Sequence, residues 1–445
     1  MRVVVIGAGQ VGTEIAADLA PAHEVVVIDC DEELVETLQY EIDALTIAGD
    51  GTSLETLEGA SVGEADLFIS CTDDDRVNLI ACGTAKVLGD PFTIARTKRT
   101  QYLRTWEHDQ RAFGVDFLVC SDLLTAETIV RVIGLPAALD VDPFAGGLVQ
   151  MAEFEISDTC PVAGQRIAEA DRFESLTFAG LFRAGEMIIP TGDSIIEPGD
   201  RAVVIGTPES VQQFAMGLDT DETPSSSDEI VIFGGSEIGY HTARLLEERN
   251  MSPRLIEQDH DRAREIAEEL PNTVVMEHDV TDTEFLSREH VDEADTVVAT
   301  LESDEKTLLT AILAKRIGCQ RVVATVESGE YVRLFEEIGI DVAINPREVT
   351  AEEIIRFSFD SPAENVAVLE NDQAEVLELE LGAESELVGH PLRDLDEMID
   401  GQFVVGAITR DRQFVIPRGE TELRVGDHIV VFAETPLVSE ITAMA

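Results

Sequence analysis

The sequence predicts an α/β protein in which a doubly wound parallel sheet is followed by a small α+β module, the pair being duplicated in tandem. Three observations carry this. Short β-branched runs alternate with apolar-periodic helical segments, the pattern of a parallel sheet covered by helices. The first run, Arg2–Ile6, passes directly into Gly7-Ala8-Gly9-Gln10-Val11-Gly12 and a helical segment from Val11 to Leu19. The same succession begins again at Ile230, about 227 residues later, which marks an internal repeat.

The glycine turn explains itself physically. Gly7 allows a sharp turn, Gly9 lets backbone approach a phosphate, and Gly12 lets the helix pack close on the strand. The free N–H groups and the positive end of the helix then attract an anion. A second strand, Glu24–Ile28, ends at Asp29, 17 residues after Gly12. A carboxylate there accepts hydrogen bonds from adenosine ribose hydroxyls and repels a 2′-phosphate, so NAD-type or adenine nucleotides are expected rather than NADP.

The remaining elements of the first unit follow in order. Glu32–Leu38 reads as helix and Ala44–Ala48 as the third strand, closed by Gly49-Asp50-Gly51 before a short helix over Thr52–Leu57. Ala65–Cys71 is the fourth strand, Thr72-Asp73-Asp74-Asp75 starts the helix after it, and Asn78–Leu88 continues that helix. Phe92–Ala95, followed by Arg96, and Phe117–Cys120 are the fifth and sixth strands. Ligands of such sheets bind at the carboxyl ends of the strands. There the reading gathers Gly7, Ala8, Gly9, Gln10, Val11, Gly12, Asp29, Asp50, Thr52, Thr72, Asp73 and Arg96 as candidate nucleotide contacts. Thr72 and the acids after it also suit a helix N-cap.

A helix over Leu123–Ile133 is broken at Pro136, and from Gly147 short strands take over: Leu148–Ile156, Leu176–Phe182 and Arg201–Ile205, with turns at Cys160–Gly164 and Glu197–Asp200. Leu218–Glu229 is a linker of acid, serine and proline. The repeat then supplies a strand Ile230–Phe233, the turn Gly234-Gly235-Ser236-Glu237-Ile238-Gly239, Leu255-Ile256 ending in Glu257, Thr273–Met276 leading to His278-Asp279, Asp295–Thr300, a helix Leu308–Ile317 with Lys315 in the place of Lys86, and Arg321–Thr325. Val425–Phe432 repeats Pro198–Ile205. The expected division is 1–138, 139–217, a linker 218–228, 229–360 and 361–445.

The second turn is altered. Ser236 replaces the middle glycine, Leu301 stands where Thr72 stands, and Thr325 falls at Arg96. Serine is small and still donates a hydrogen bond, so Gly234 to Gly239, Glu257 and Asp279 form a weaker second candidate site, and the first half is expected to be the better one.

Composition excludes several classes. The chain carries 89 acidic and 31 basic residues, a net charge of −58 spread along its whole length. No basic patch exists for nucleic acid, and no calcium-loop spacing occurs among the acids. Such charge opposes folding at ordinary ionic strength and is screened at molar salt, where the Debye length is about 3 Å. The composition therefore reads as adaptation to a salt-saturated cytoplasm. Six scattered cysteines without a C-x-x-C pair suit a reducing compartment. Eight dispersed histidines lack metal-ligand spacing. With a strand starting at residue 2, no signal peptide is expected, and no apolar run approaches the 18 residues of a membrane span.

The domain order, VVVIGAGQVG (Val3–Gly12) with VVVID (Val25–Asp29), GDGT (Gly49–Thr52), Thr72-Asp73, ARTK (Ala95–Lys98) and the two Gly-Asp turns resemble the TrkA family, the regulatory subunits of Trk-type potassium uptake. The resemblance implies RCK-N, RCK-C, RCK-N, RCK-C, each RCK-N a Rossmann-like unit. It also implies NAD(H) or ATP/ADP as regulatory ligand with Arg96 facing phosphate, pairing of RCK-N units, and a homo-oligomer, dimer or tetramer. That assembly would sit beneath an integral-membrane potassium-translocating subunit of the TrkH-like kind, the chain being cytoplasmic and peripheral on the inner face of the membrane. The acidic composition points to a haloarchaeal member. Alternatives are a gating ring of a potassium channel or cation/proton antiporter, and an NAD-dependent dehydrogenase. The dehydrogenase would need an acid–base residue, for which His108 is a weak candidate in a polar helical stretch.

Overall fold

A computed structural model describes residues 1–109, 112–135, 138–170, 172, 175–183, 186–218, 229–358, 363–369, 374–399, 401–410 and 412–445. The break expected at Pro136 and the linker beyond Leu218 lie outside the described residues.

The first unit runs β1 (Arg2–Ile6), α1 (Gln10–Leu19), β2 (Glu24–Asp29), α2 (Glu32–Glu41), β3 (Leu45–Ala48), α3 (Leu54–Gly59), β4 (Leu67–Ser70), α4 (Asp75–Leu88), β5 (Phe92–Thr97), α5 (Thr100–His108), β6 (Phe117–Cys120) and α6 (Ser121–Ile133). Its six strands are parallel in the order β3-β2-β1-β4-β5-β6. The central strand is the Val-rich β1, buried on both faces as a covered parallel sheet requires. Side-chain caps start the helices where the sequence provides them: Asp31 accepts from the N–H groups of Glu33 and Leu34 at α2, and Asp74 accepts from that of Arg76 at α4. The N-cap of α4 is thus Asp74, not Thr72.

The first small module comprises β7 (Ala138–Phe144), β8 (Val149–Glu155), α7 (Ile167–Ala170), β9 (Leu176–Arg183), β10 (Glu186–Ile188), β11 (Arg201–Gly206) and α8 (Pro208–Leu218). It opens before Gly147: β7 is an edge strand, where Pro143 leaves no inner ladder bond missing, so its Asp and Pro content masked it in the sequence.

The second unit repeats the first: β12 (Ile230–Phe233), α9 (Glu237–Glu248), β13 (Arg254–Glu257), α10 (His260–Glu269), β14 (Val274–Glu277), α11 (Thr283–Arg288), β15 (Thr296–Ala299), α12 (Asp304–Ile317), β16 (Arg321–Thr325), α13 (Gly329–Ile338), β17 (Val342–Ile344) and α14 (Pro346–Ser358). Its sheet order, β14-β13-β12-β15-β16-β17, matches that of the first. β18 (Ala363–Leu369), β19 (Ala374–Glu380), β20 (Phe403–Arg410), β21 (Gln413–Val415), β22 (His428–Glu434) and α15 (Val438–Met444) close the chain. Their order, β18-β19-β22-β20-β21, corresponds strand for strand to β7-β8-β11-β9-β10.

The chain folds into two bodies, and neither is one half of the sequence. Met1–Val130 joins Ser226–Ser358, and Arg131–Ser225 joins Phe359–Ala445. In the first body, α14 packs along α1, Phe117 on β6 stacks on Phe357 of α14 with ring centroids 3.6 Å apart, and Arg249 donates to the Val130 carbonyl of α6 at 3.2 Å. In the second body, the two antiparallel sheets share one core of Phe144, Met151, Phe182 and Ile205 with Val376, Val430 and Phe432. Glycine makes room at the seam. A Cβ on Gly180 would meet the Phe432 ring at 2.4 Å, and one on Gly406 would meet Ile205 at 2.6 Å. In each module one arginine forks onto a fully buried aspartate: Arg183 onto Asp200 at 2.7 and 2.8 Å, and Arg410 onto Asp427 at 2.7 Å twice.

Candidate functional site

The first glycine turn joins β1 to α1. Gly7 takes φ +110°, and its N–H donates to the Ile28 carbonyl at 2.8 Å. A Cβ on Gly12 would stand 1.9 Å from the Gly7 carbonyl oxygen, so no other residue fits that crossing. Val11 is buried against the sheet, whereas a Cβ on Gly9 would meet nothing within 4 Å. Gly9 caps α1 with no side-chain hydrogen bond, so the N–H groups of the first turn face outward without a side-chain acceptor.

Asp29 ends β2 and holds this turn. Its Oδ2 accepts from the Ala8 N–H at 2.6 Å and its Oδ1 from the Asp31 N–H at 2.9 Å. A carboxylate offers about four lone-pair sites, so capacity for ribose hydroxyls remains. Asp50 accepts from both the N–H and the hydroxyl of Thr52, at 2.8 and 2.7 Å, and these bonds hold its pKa below the ordinary value. The two residues close a turn on the same rim, since Gly51 is pressed against Ile6.

Across the rim, Thr72 lies against Gly7. Its hydroxyl donates to Asn78 Oδ1 at 2.7 Å, and Asn78 Nδ2 donates to the carbonyls of Thr72 and Arg96, each at 2.9 Å. The buried Asn78 thereby ties the end of β4 to the end of β5. Arg96 is 4% exposed, and its Nε has no partner. Its Nη1 meets Asp73 Oδ1 at 3.2 Å, and Lys98 Nζ stands 3.5 Å from the same oxygen. Burial opposes ionisation of Asp73, but Arg96, then Lys98 and Arg347, outweigh it and lower its pKa. A buried guanidinium with an idle N–H beside an uncapped helix start is suited to an anionic phosphate.

The second turn keeps the backbone and reverses its use. Gly234 takes φ +100°, and its N–H donates to Ile256 at 2.9 Å. A Cβ on Gly239 would lie 2.2 Å from the Gly234 oxygen. Glu257 repeats Asp29, accepting from the N–H groups of Gly235 at 2.6 Å and Asp259 at 2.7 Å. Asp279 repeats Asp50, accepting from Thr281 at 2.9 and 2.8 Å, and those bonds lower its pKa. Ile238 is buried like Val11. Ser236, however, caps α9 itself, its Oγ accepting from the Gly239 N–H at 3.2 Å. Arg262 donates to the Gly235 carbonyl at 2.7 Å and to Glu237 at 2.9 Å. One donor that a pyrophosphate would use, the Gly239 N–H, is thus satisfied from within, and Arg262 is tied to Gly235 and Glu237.

TrkA-N domain models match residues 3–120 and 230–346, and TrkA-C domain models match 151–217 and 376–444. This chain belongs to the TrkA family. Among its relatives, Trk system potassium uptake protein TrkA homolog 1 of Methanosarcina mazei is 34% identical over 449 residues, with 99% of each chain covered. The TrkA homolog of Archaeoglobus fulgidus is 35% identical over 441 residues, again with 99% of each covered. TrkA of Azorhizobium caulinodans is 30% identical, with 97% of this chain and 96% of that one covered. Among solved structures, the RCK domain of GsuK aligns over 100% of this chain and 95% of its own with TM-score 0.61 at 19% identity. The GsuK channel bound to NAD aligns over 100% and 78% with TM-score 0.61 at 18% identity. These two likenesses show the fold.

Each TrkA-N half also rests on polar groups that sequence reasoning passed over. Asp75 accepts from the N–H groups of Lys98 and Arg99 at 2.9 and 3.3 Å, and Asp304 accepts from those of Glu327 and Ser328 at 2.8 and 3.1 Å. In sequence Asp75 reads only as one of the acids that start a helix, and Asp304 lies ahead of the helix expected from Leu308. Their recurrence 229 residues apart, the offset that also relates Thr72 to Leu301 and Arg96 to Thr325, was the available signal. His108 ends α5 and is exposed. No group of residues suited to a metal occurs among the described residues, and no helix among them is long and apolar enough to cross a membrane.

Proposed function

We propose that this chain is the nucleotide-responsive regulatory subunit of a Trk-type potassium uptake system. It works in the cytoplasm on the inner face of the membrane and gates an integral-membrane, TrkH-like potassium-translocating subunit. The observation that carries the reading is the uncapped start of α1 with Asp29 and the idle, buried Nε of Arg96 on one rim, in a family whose members are named potassium uptake proteins. The N–H groups from Gly9 to Gly12 hold the pyrophosphate of NAD(H), ATP or ADP, Asp29 holds the ribose, and Arg96 faces phosphate. NAD binding by GsuK is a property of that channel and leaves the choice among these ligands to experiment.

The chain acts by binding rather than by turnover. A ligand moves a two-state assembly only if it binds the two states differently. An affinity ratio near 100-fold, about 2.7 kcal/mol, gives useful control. The ligand sits where α14 of the second half packs on α1, so it biases the pairing of the two TrkA-N halves. A homo-oligomer, dimer or tetramer, carries that bias to the membrane subunit. The second turn, self-capped by Ser236, serves as scaffold.

Calorimetric titration in roughly molar KCl, which screens the net charge, tests this with NADH, NAD, ATP and ADP. One nucleotide site per chain, without NADH consumption in the presence of small keto acids, supports the reading. Silence with all four ligands overturns it, and two equal sites would return the second turn to function.

A further inference from the structure

We propose that the first small module holds a binding site for a small aliphatic monocarboxylate, in a cavity that the second small module fills with its own side chains. The cavity measures about 140 Å³ and is lined by Val162, Ala170, Phe214 and Gly217, with Gln165 and Arg172 beside them. A void of roughly this size takes a six-carbon ring. Phe214 is 1% exposed and gives the cavity an apolar floor. Its ring meets those of Phe154 on β8 and Phe178 on β9 edge-on, each with centroids 5.3 Å apart. Gly217 stands in the last turn of α8, and a Cβ there would meet nothing within 4 Å.

The repeat makes this space a difference between the modules and not a feature of their common fold. Gly164 and Gly389 fix the register, both at positive φ, with N–H groups that donate to the Ile196 and Leu423 carbonyls at 2.7 and 2.9 Å. In that register Val162 and Ala170 correspond to Leu387 and Leu395, and counting on from β11 and β22 pairs Gly217 with Met444. Leu387 and Leu395 are each 1% exposed, and Met444 packs against the same core. Phe214 is larger than its counterpart Ile441, yet the first module still lacks about five side-chain heavy atoms at this place. An empty cavity lowers stability in proportion to its volume, and an occupant of that size restores the lost packing.

Arg172 sets the chemical class of the occupant. Its Nε donates to the Glu169 carbonyl at 2.8 Å and its Nη2 to Gln165 Oε1 at 3.1 Å. Gln165 is held in turn, its Nε2 donating to the Pro161 carbonyl at 2.6 Å. The guanidinium is thus positioned by neutral acceptors alone. Its Nη1 donates to nothing and it pairs with no carboxylate among the described residues, in a chain with 89 acidic and 31 basic residues. At the same position in the second module the sequence has Glu397. A guanidinium fork matches a carboxylate, and the apolar floor matches a short hydrocarbon body. A nucleotide is far too large for this cavity, so the site is separate from the glycine turns.

The test uses the full chain in roughly molar KCl, titrated by calorimetry with potassium isovalerate, potassium acetate and isoamyl alcohol. Wild type, Gly217→Met, Arg172→Gln and Arg172→Lys are compared, with thermal unfolding recorded for each. Isovalerate is expected to bind wild type at one site per chain and to raise its unfolding temperature. Acetate lacks the hydrocarbon body and the alcohol lacks the charge, so each should bind at least about tenfold more weakly. Gly217→Met fills the cavity as Met444 fills its counterpart and should abolish isovalerate binding without lowering the unfolding temperature. Arg172→Gln should weaken isovalerate about tenfold, and Arg172→Lys should recover part of that loss. A wild-type chain that does not bind isovalerate, undiminished binding by Gly217→Met, or equal binding of the alcohol overturns the proposal. Should Gly217→Met unfold early, the Arg172 variants decide alone: an isovalerate affinity equal to that of wild type in Arg172→Gln overturns the site, and a loss partly recovered in Arg172→Lys supports it.

Discussion

The two glycine turns of this chain are built on one backbone plan and differ in what they leave unsatisfied. Both begin with a glycine at positive φ, both cross a helix over that glycine's carbonyl, and both are tied by a carboxylate at the end of the neighbouring strand. At the first, Gly9 gives α1 no side-chain cap, and Arg96 keeps an idle N–H. At the second, Ser236 caps α9, Arg262 covers the Gly235 carbonyl, and Thr325 replaces the arginine. Fold and ligand site are thus separable. The crossing glycine and the strand-end acid recur in both halves, and under the proposed function the cap position decides whether an anion is invited.

The largest effect that tests this separation comes from the crossing glycines. Gly12→Ala and Gly239→Ala each force a Cβ onto a carbonyl oxygen, at 1.9 and 2.2 Å, and each should cost on the order of 3 kcal/mol or more. Thermal denaturation should register both alike, whereas nucleotide affinity at low temperature should fall only for Gly12→Ala. Equal loss of binding would show that the halves cannot be separated.

The strand-end acids come next. Asp29→Ala and Glu257→Ala each orphan a backbone N–H, of Ala8 or Gly235, at about 1–3 kcal/mol of stability. Only Asp29→Ala should weaken nucleotide binding, by about tenfold or more, as read by calorimetry. A comparable loss with Glu257→Ala would place ligand in the second half.

The cap residues can be exchanged. Serine and glycine differ by only a few tenths of a kcal/mol at an N-cap, so Gly9→Ser should leave the unfolding temperature nearly unchanged while weakening nucleotide binding about tenfold through self-capping. Ser236→Gly alone should gain nothing. Ser236→Gly with Arg262→Ala should create weak binding in the second half, detectable as a second calorimetric site.

The smallest effect is electrostatic. Burial raises Asp122 from 3.8 to about 6, with Lys98 and Arg96 opposing and Glu237 and Glu327 adding. Below about pH 4 this carboxyl is protonated in both the native and unfolded chain. Between about pH 4 and 6 the unfolded chain releases a proton that the native state keeps, so stability falls as pH rises and the loss is complete above about 6. A carboxyl raised this far is worth up to about 3 kcal/mol, of which solvent reaching the part-buried side chain screens most, so Asp122→Asn should raise stability at pH 7.5 by on the order of 1 kcal/mol and leave it nearly unchanged at pH 4. An unchanged unfolding temperature at both pH values would remove the contrast between the acidic second turn and the basic first.

Much of this was legible in the chain. The β1–α1 turn, the strand ending in Asp29 and the restart at Ile230 are local patterns, because each depends on residues within one βαβ unit. Their offset also exposed Ser236, Leu301 and Thr325 as departures. Thr72 was legible as a rim residue, but its bond to Asn78 was not, since Asn78 looks like any helical residue until β4 and β5 bring two carbonyls to it. β7 was hidden because an edge strand tolerates Pro143.

By itself the sequence determined the four-part repeat, the parallel sheets and the acceptor at each strand end, since hydrophobic period and turn chemistry act over a few residues. The family resemblance implied that TrkA-N units pair; tertiary structure alone decided that the two in one chain do so through α14 and α1, and that small module pairs with small module. It also decided that Arg347 meets Gln10, 337 residues away along the chain. No local pattern encodes that meeting. It follows from α14 burying its face on α1, a contact that becomes available only once both sheets have formed.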